Sequence, residues 1–188
     1  MSGGGPAFEG AAVTPVGAAA VELAGEAPAA AVLTVSDGVH HGVREDRSGA
    51  ALAELLAAEG FQVARRVVPD EREQIAAAIT ELAAAGARVV LTTGGTGLAP
   101  RDVTPEATAT VLDRLAPGIA EAIRADSIAR TPHALLSRGL AGVHRSTLVV
   151  NLPGSPGGCR DGFAVLRPAL HHAIELLADA PELHHRQT

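Results

Sequence analysis

Apolar residues along this chain fall alternately into short dense runs and into longer stretches with helical spacing. Ala31-Val-Leu-Thr-Val-Ser36 has the length and density of a buried strand. Ser48 then offers an N-cap to a helix running to about Glu59, with Gly60 as its stop. Phe61 to Val68 predicts a second strand, Glu71 to Ala85 a second helix ended by Gly86, and Arg88 to Thr93 a third strand apolar enough to be central. Thr104-Pro105 reads as a cap followed by a proline in the first helical position. A further helix spans roughly Gly118 to Arg130, and Ser146 to Asn151 is another strand. A closing helix covers Cys159 to Ala178, its apolar face formed by Phe163, Leu166, Leu170, Ile174 and Leu177.

Strands alternating with helices of this length predict an α/β fold with a mainly parallel sheet covered on both faces. Ligands bind such sheets at the carboxyl ends of the strands. Attention therefore falls on the segments after Ser36, Val68, Thr93 and Asn151, each of which is polar or glycine-rich. Residues 1–29 are rich in Gly, Ala and Pro without a sustained period, and read as a flexible extension. Residues 181–188 read as a polar tail, leaving one domain over 30–180.

Composition narrows the chemistry. Hydrophobic residues make up 47% of the 188 positions but aromatics only 2%, so the core must be built from Ala, Val, Leu and Ile. A base-stacking surface for single-stranded nucleic acid is not expected from so few rings. The formal charge of −6 also argues against nucleic acid or an anionic membrane as partner. Every basic side chain except histidine is Arg, so there is no Schiff-base or P-loop lysine, and any cationic phosphate clamp must be a guanidinium. One cysteine excludes an intrachain disulfide and suits a reducing cytoplasm. No Lys or Arg precedes Arg44, while Glu9, Glu22 and Glu26 do, so a secretory signal is not expected.

Four loops hold candidate ligands. In Thr93-Gly-Gly-Thr-Gly97, the absent Cβ atoms of Gly94, Gly95 and Gly97 would let backbone amides approach a phosphate, and Thr93 and Thr96 add hydroxyls. The spacing is neither that of a P-loop nor that of a dinucleotide fold, and a plain strand-to-helix turn is the competing reading. Asp102 could be a helix-start residue or a ligand for Mg²⁺. Asp70, with Glu73 three residues on, has capping-box spacing and could equally be a ligand. Ser36-Asp37 ends the first strand, and Asn151-Leu-Pro-Gly-Ser155 could be an anion loop or a turn. The histidine doublets His40-His41, His171-His172 and His184-His185 have poor spacing for a metal, and the role of His40 and His41 stays open.

With these residues assembled, Thr92 to Ala107 (Thr-Thr-Gly-Gly-Thr-Gly-x-x-x-Arg-Asp-Val-Thr-Pro-Glu-Ala) resembles the signature of the MogA/MoaB family, whose domain also occurs in gephyrin. Leu136-Ser-Arg138, Gly142 to Ser155 and Pro168 to Leu177 resemble the second half of that domain. The resemblance implies a molybdopterin-binding domain with a three-layer α/β/α fold, a homotrimer, and a small antiparallel element near Gly139 to Asn151. It implies adenylation of molybdopterin by ATP with Mg²⁺, Asp70 and Asp102 being the catalytic and metal-holding residues. Ser36, Asp37, Thr93, Gly94, Gly95, Thr96, Gly97, Ser137, Pro153, Gly154 and Ser155 would surround the substrates, and a molybdenum-insertion protein could receive the product. The alternatives are a protein of the same fold that only binds molybdopterin, a trimeric scaffold, and a nicotinamide dehydrogenase. Intact Asp70 and Asp102 favour the enzyme over the binder. The missing dinucleotide spacing disfavours the dehydrogenase.

Overall fold

The computed structural model describes residues 14–15 and 29–178. Its strands are β1 (Thr14–Pro15), β2 (Ala29–Val35), β3 (Gln62–Val68), β4 (Val89–Thr93), β5 (Arg114–Leu115), β6 (Ala141–His144) and β7 (Thr147–Leu152). Its helices are α1 (Asp37–His40), α2 (Arg47–Ala58), α3 (Arg72–Ala84), α4 (Thr104–Val111), α5 (Pro117–Ile128) and α6 (Pro156–Ala178), with a 3-10 turn at Pro132–Leu136. The sheet order is β1-β3-β2-β4-β7-β6-β5. Strands β1 to β4 and β7 run parallel, and β6 returns antiparallel to β7 with β5 beyond it.

The strict alternation of strand side chains makes two cores from one sheet. Val32, Leu91 and Val150 meet Leu52 and Leu56 of α2, Ile123 of α5 and Phe163, Leu166 and Leu170 of α6. Leu33, Val90 and Val149 point to the opposite face and meet Ile75, Ile79 and Leu82 of α3 and Ala107 of α4. The result is the three-layer α/β/α architecture that the alternating pattern implies. All five apolar positions singled out along the closing helix are buried, each contributing on the order of 2 kcal/mol of burial energy. The antiparallel element lies where the resemblance places it: β6 and β7 are joined through Arg145 and Ser146, and Arg145 takes a φ of 53°, as so tight a turn demands.

Three local expectations are corrected. Ser48 does not cap α2: the helix begins at Arg47, and the Asp46 carboxylate accepts from Gly49 N at 2.8 Å. A deeper bond decides this, because Asp46 also holds Thr34 Oγ1 (3.0 Å) and Arg65 Nη2 (2.6 Å). Thr104 is the first residue of α4 rather than its cap. The Asp70–Glu73 capping box does not form, since Glu71 occupies the cap position and the Asp70 carboxylate turns to Asp37.

Ala29, placed by the sequence pattern in the N-terminal extension, is the buried first residue of β2. Thr14 and Pro15 pair with Ala64 and Arg65 on the edge of β3. The rest of that extension, the His184-His185 doublet and the tail over 181–188 lie outside the described residues. Among the described residues no helix is long and apolar enough to cross a membrane.

Candidate functional site at the strand ends

Strands β2, β3, β4 and β7 deliver their loops to one edge of the sheet, and hydrogen bonds between those loops join them into one site. Ser36 N donates to Val68 O (3.0 Å), bringing the end of β2 beside that of β3. Asp37 N donates to Asp70 Oδ2 (2.8 Å), and Asp70 N donates to Asp37 Oδ1 (3.1 Å). Arg101, from the loop after β4, closes on this pair. Its Nη2 lies 3.0 and 2.8 Å from the two Asp37 oxygens, and its Nη1 lies 3.0 Å from Glu71 Oε1.

The glycine loop is folded back on itself by groups behind it. Thr104 Oγ1 donates to Gly94 O (2.9 Å) and Thr104 N to Gly95 O (3.1 Å). Arg138 N donates to Thr96 O (2.9 Å) and Arg138 Nε to Gly97 O (2.7 Å). Among the described residues there are no cis peptides, and in a trans peptide a carbonyl and the following N–H point in opposite directions. The N–H groups of Gly95, Thr96, Gly97 and Leu98 are therefore turned away from these anchors. Among the described residues none of the four donates a hydrogen bond. Such a run of free amides is what a phosphate cradle requires.

Glycine is required here by space as well as by φ. A Cβ on Gly94 (φ 99°) would lie 2.2 Å from Val35 O. One on Gly95 (φ 62°) would meet Thr104 Oγ1 at 2.4 Å and Asp70 Oδ1 at 3.3 Å, and one on Gly97 would lie 2.8 Å from Asp102 Oδ2. The loop thus runs directly beside both aspartates. Asp102 accepts from Ala99 N through Oδ2 (2.8 Å) and returns its own N–H to Ala99 O (2.8 Å).

The carboxyls of Asp37 and Asp70 are shifted in opposite directions. The Asp70 amide bonded to Asp37, helped by Arg101, holds the Asp37 carboxyl below its ordinary range. Burial pushes Asp70 the other way, and the negative charges of Asp37 and Asp102 add to the push. Arg101 pairs with Asp37 and Glu71, and Arg138 with Glu106, while among the described residues no salt bridge reaches Asp70 or Asp102. Carboxylates left without a salt bridge are the hard-oxygen donors that a Mg²⁺ ion would take. Mg²⁺ typically takes one or two carboxylates and completes its shell with water and substrate phosphates. Among the described residues no three His, Cys, Asp or Glu side chains form a metal cage by themselves, so Asp70 and Asp102 fit only in that shared manner.

The remaining expected residues take distinct places. Ser36 Oγ accepts from Val39 N (3.3 Å) as the cap of α1. Thr93 is fully buried, and its hydroxyl donates to Pro153 O (2.7 Å) instead of facing a ligand; it anchors the second loop. Thr96 is also buried. Ser137 sits at the end of the 3-10 turn, brought to the glycine loop by Arg138. Gly154 passes so close to Gly94 that a Cβ on it would sit 3.2 Å from the Gly94 Cα, and Ser155 Oγ accepts from Gly158 N (3.1 Å) at the start of α6. His41 Nδ1 bonds Asp37 O (2.8 Å), with the His40 ring edge-on beside it.

Sequence reasoning assigns no site role to Arg101, Arg138 or Cys159 and reads Thr104 only as a helix cap, yet the structure brings all four to the site. Cys159 donates to Pro153 O (3.1 Å) beneath the second loop, and burial raises its thiol to about 11. The absence of lysine is the available signal for the two arginines.

Comparison with known proteins identifies the family. The family described as "Probable molybdopterin binding domain" matches residues 31–172. Gephyrin of Dictyostelium discoideum is 40% identical over 162 residues, 80% of this chain. The chain spans only 23% of that protein's length. The molybdopterin adenylyltransferase of Helicobacter pylori (strain J99 / ATCC 700824) is 37% identical over 150 residues, covering 78% of this chain and 85% of the relative. Among solved structures, the molybdopterin biosynthesis enzyme MoaB from Thermus thermophilus superposes with a TM-score of 0.75 at 46% identity, covering 81% of this chain and 98% of the other. The matched stretch takes in the glycine loop, both aspartates beside it and the mixed sheet that carries them, and the chain belongs to the molybdopterin-binding domain family of the MogA and MoaB proteins.

Proposed function

We propose that this protein works in molybdenum cofactor biosynthesis and transfers adenylate from Mg-ATP to molybdopterin. One observation carries the reading. The free amides of Gly95 to Leu98 lie on the same loop edge as Asp70 and Asp102, where Gly95 and Gly97 make room for the two carboxylates. An oxygen of molybdopterin's terminal phosphate attacks the α-phosphorus of ATP. The bond from that phosphorus to the oxygen bridging to the β-phosphate breaks, and pyrophosphate leaves with the electron pair. The attacking phosphate is already ionised, so alignment and charge neutralisation, not a strong base, supply the catalysis.

The chain's own groups divide that work. The loop amides receive phosphate oxygens, and Ser137, Pro153, Gly154 and Ser155 border the space for the second substrate. Asp70 and Asp102 would hold Mg²⁺, which when bound neutralises phosphate charge. Arg101 keeps Asp37 and Glu71 from adding their charges to the phosphates' own. The same reading includes a cytoplasmic homotrimer that passes its product to a molybdenum-insertion protein.

The test is turnover of purified protein with molybdopterin and Mg-ATP, read as released pyrophosphate and as the mass of adenylylated molybdopterin. Stoichiometric product formation is expected. Tight molybdopterin binding with no pyrophosphate would replace this reading by that of a binding protein.

A further inference from the structure

We propose that Arg138 is the positioning residue of this site, the brace that sets both the glycine loop and Asp102. Its backbone N–H holds Thr96 O, its Nε holds Gly97 O, Nη2 reaches Asp102 O and Nη1 pairs with Glu106. One residue therefore grips the loop at both ends of the segment that carries the free amides and the carboxylate. Because Glu106 neutralises the guanidinium, Arg138 is spent on carbonyls and is no phosphate ligand of its own.

Arg138 is in turn tied to the sheet. Next to it, Gly139 O accepts from Arg124 Nη1 (2.8 Å), and Leu140 N donates to Asn151 Oδ1 (3.1 Å). Asn151 is buried in β7, and its Nδ2 donates to Thr92 Oγ1 and Thr108 Oγ1, both at 2.9 Å. The chain of contacts runs from the sheet interior through Asn151, Leu140 and Arg138 to the loop. Lysine could not substitute: a planar fork serves Gly97 O, Asp102 O and Glu106 together, whereas an ammonium offers no such fixed geometry. This inference rests on the proposed phosphate-binding role of the loop only for its kinetic consequence. Its structural consequence stands independently.

The test uses Arg138→Lys and Arg138→Gln in the full chain, with two readouts. Amide exchange is followed at Ala99, Asp102 and Thr104, which hydrogen-bond within this loop, and at the interiors of β2 and β4. Exchange at the three loop amides is expected to accelerate about 10-fold or more while the strands keep their protection. Turnover is expected to fall roughly 10²-fold, since small misplacement costs that much, with the KM for ATP changing by less than about 10-fold. If the Arg138 variants do not fold, Glu106→Ala carries the test, and the same loop-specific acceleration is expected on a smaller scale. Unchanged loop exchange in folded variants overturns the proposal, as does acceleration spread equally over β2 and β4. If the wild-type protein proves not to adenylate molybdopterin, the exchange experiment still decides the brace, so the two failures are distinguishable.

Discussion

Asp37 and Asp70 each accept a hydrogen bond from the other's backbone amide, at 3.1 and 2.8 Å respectively, across the ends of two neighbouring parallel strands. The exchange fastens β2 to β3 at the point where the site begins. It also gives two like residues unlike roles. The Asp70 amide, with Arg101, holds the Asp37 carboxyl below its ordinary range, while burial, with two other carboxylates beside it, pushes Asp70 up. A group that resists carrying its charge gains most from a cation beside it.

Replacing Asp102 or Asp70 by Asn should keep the fold and molybdopterin binding while slowing adenylation roughly 10²- to 10³-fold, the cost of losing a contact worth about 3 to 4 kcal/mol at the transition state. Asn keeps an oxygen for Ala99 N or Asp37 N, so the melting temperature should hardly move. Near-normal rates in both variants would sink the mechanism.

Asp46→Ala should destabilise the protein by about 3 kcal/mol, because it strands a half-buried Arg65 and removes the cap of α2 together. Urea unfolding measures the loss. Turnover per folded molecule should stay at the wild-type value.

The alkaline limb of stability should report one group. The chain has no Lys and no Tyr, so between about pH 9 and 11 the side chain that titrates is Cys159. Its folded value is raised from 9.0 to about 11. Above 9.0 the unfolded state loses this proton while the folded state keeps it, so stability falls with rising pH and levels off past about 11. The full effect is roughly 3 kcal/mol. Cys159→Ser, which can still donate to Pro153 O, should flatten the curve of unfolding free energy between about pH 8.5 and 11; an unchanged slope would assign the limb elsewhere.

Acid stability should depend on Asp37 in the opposite sense. A depressed carboxyl contributes stability that is present above 3.8 and lost as pH falls through its lower folded value. Asp37→Asn should therefore remove part of the loss seen below pH 3.8. Asp70, being raised, contributes no such loss there.

Leu98, Leu115, Leu135 and Leu136 stand exposed on the single chain, and their burial between copies suits the proposed trimer. Light scattering should give three times the 18.9 kDa chain mass. A concentration-independent monomer would remove the claim. Deleting residues 1–28 should leave the domain folded, since the described contact there is the pairing of Thr14 and Pro15 with β3. A melting temperature lowered by more than about 5 °C would show a larger role.

Much of this protein is decided locally, and there the sequence sufficed. Dense apolar runs at 31–36 and 88–93 have the length and β-branched content of a strand covered on both faces, and the spacing from Phe163 to Leu177 is that of a helix with one buried face. The Thr92 to Ala107 motif marked the loop and Asp102, because its glycines and its aspartate stand together in one short stretch, although two of the atoms that require glycine there, Val35 O and Asp70 Oδ1, come from other strand ends. What depended on distant partners was not legible. Ser48 and Asp46 are both good caps; the choice fell to Asp46 because Arg65 and Thr34, on neighbouring strands, also bind it. Asp70 has the spacing of half a capping box, but β2 brings the Asp37 amide to it first. Arg101 and Arg138 are alike in one dimension. Only the tertiary structure sets one against Asp37 and Glu71 and the other behind the glycine loop, because the partners of a long flexible cation are fixed by where strands end in space, not by the residues beside it in the chain.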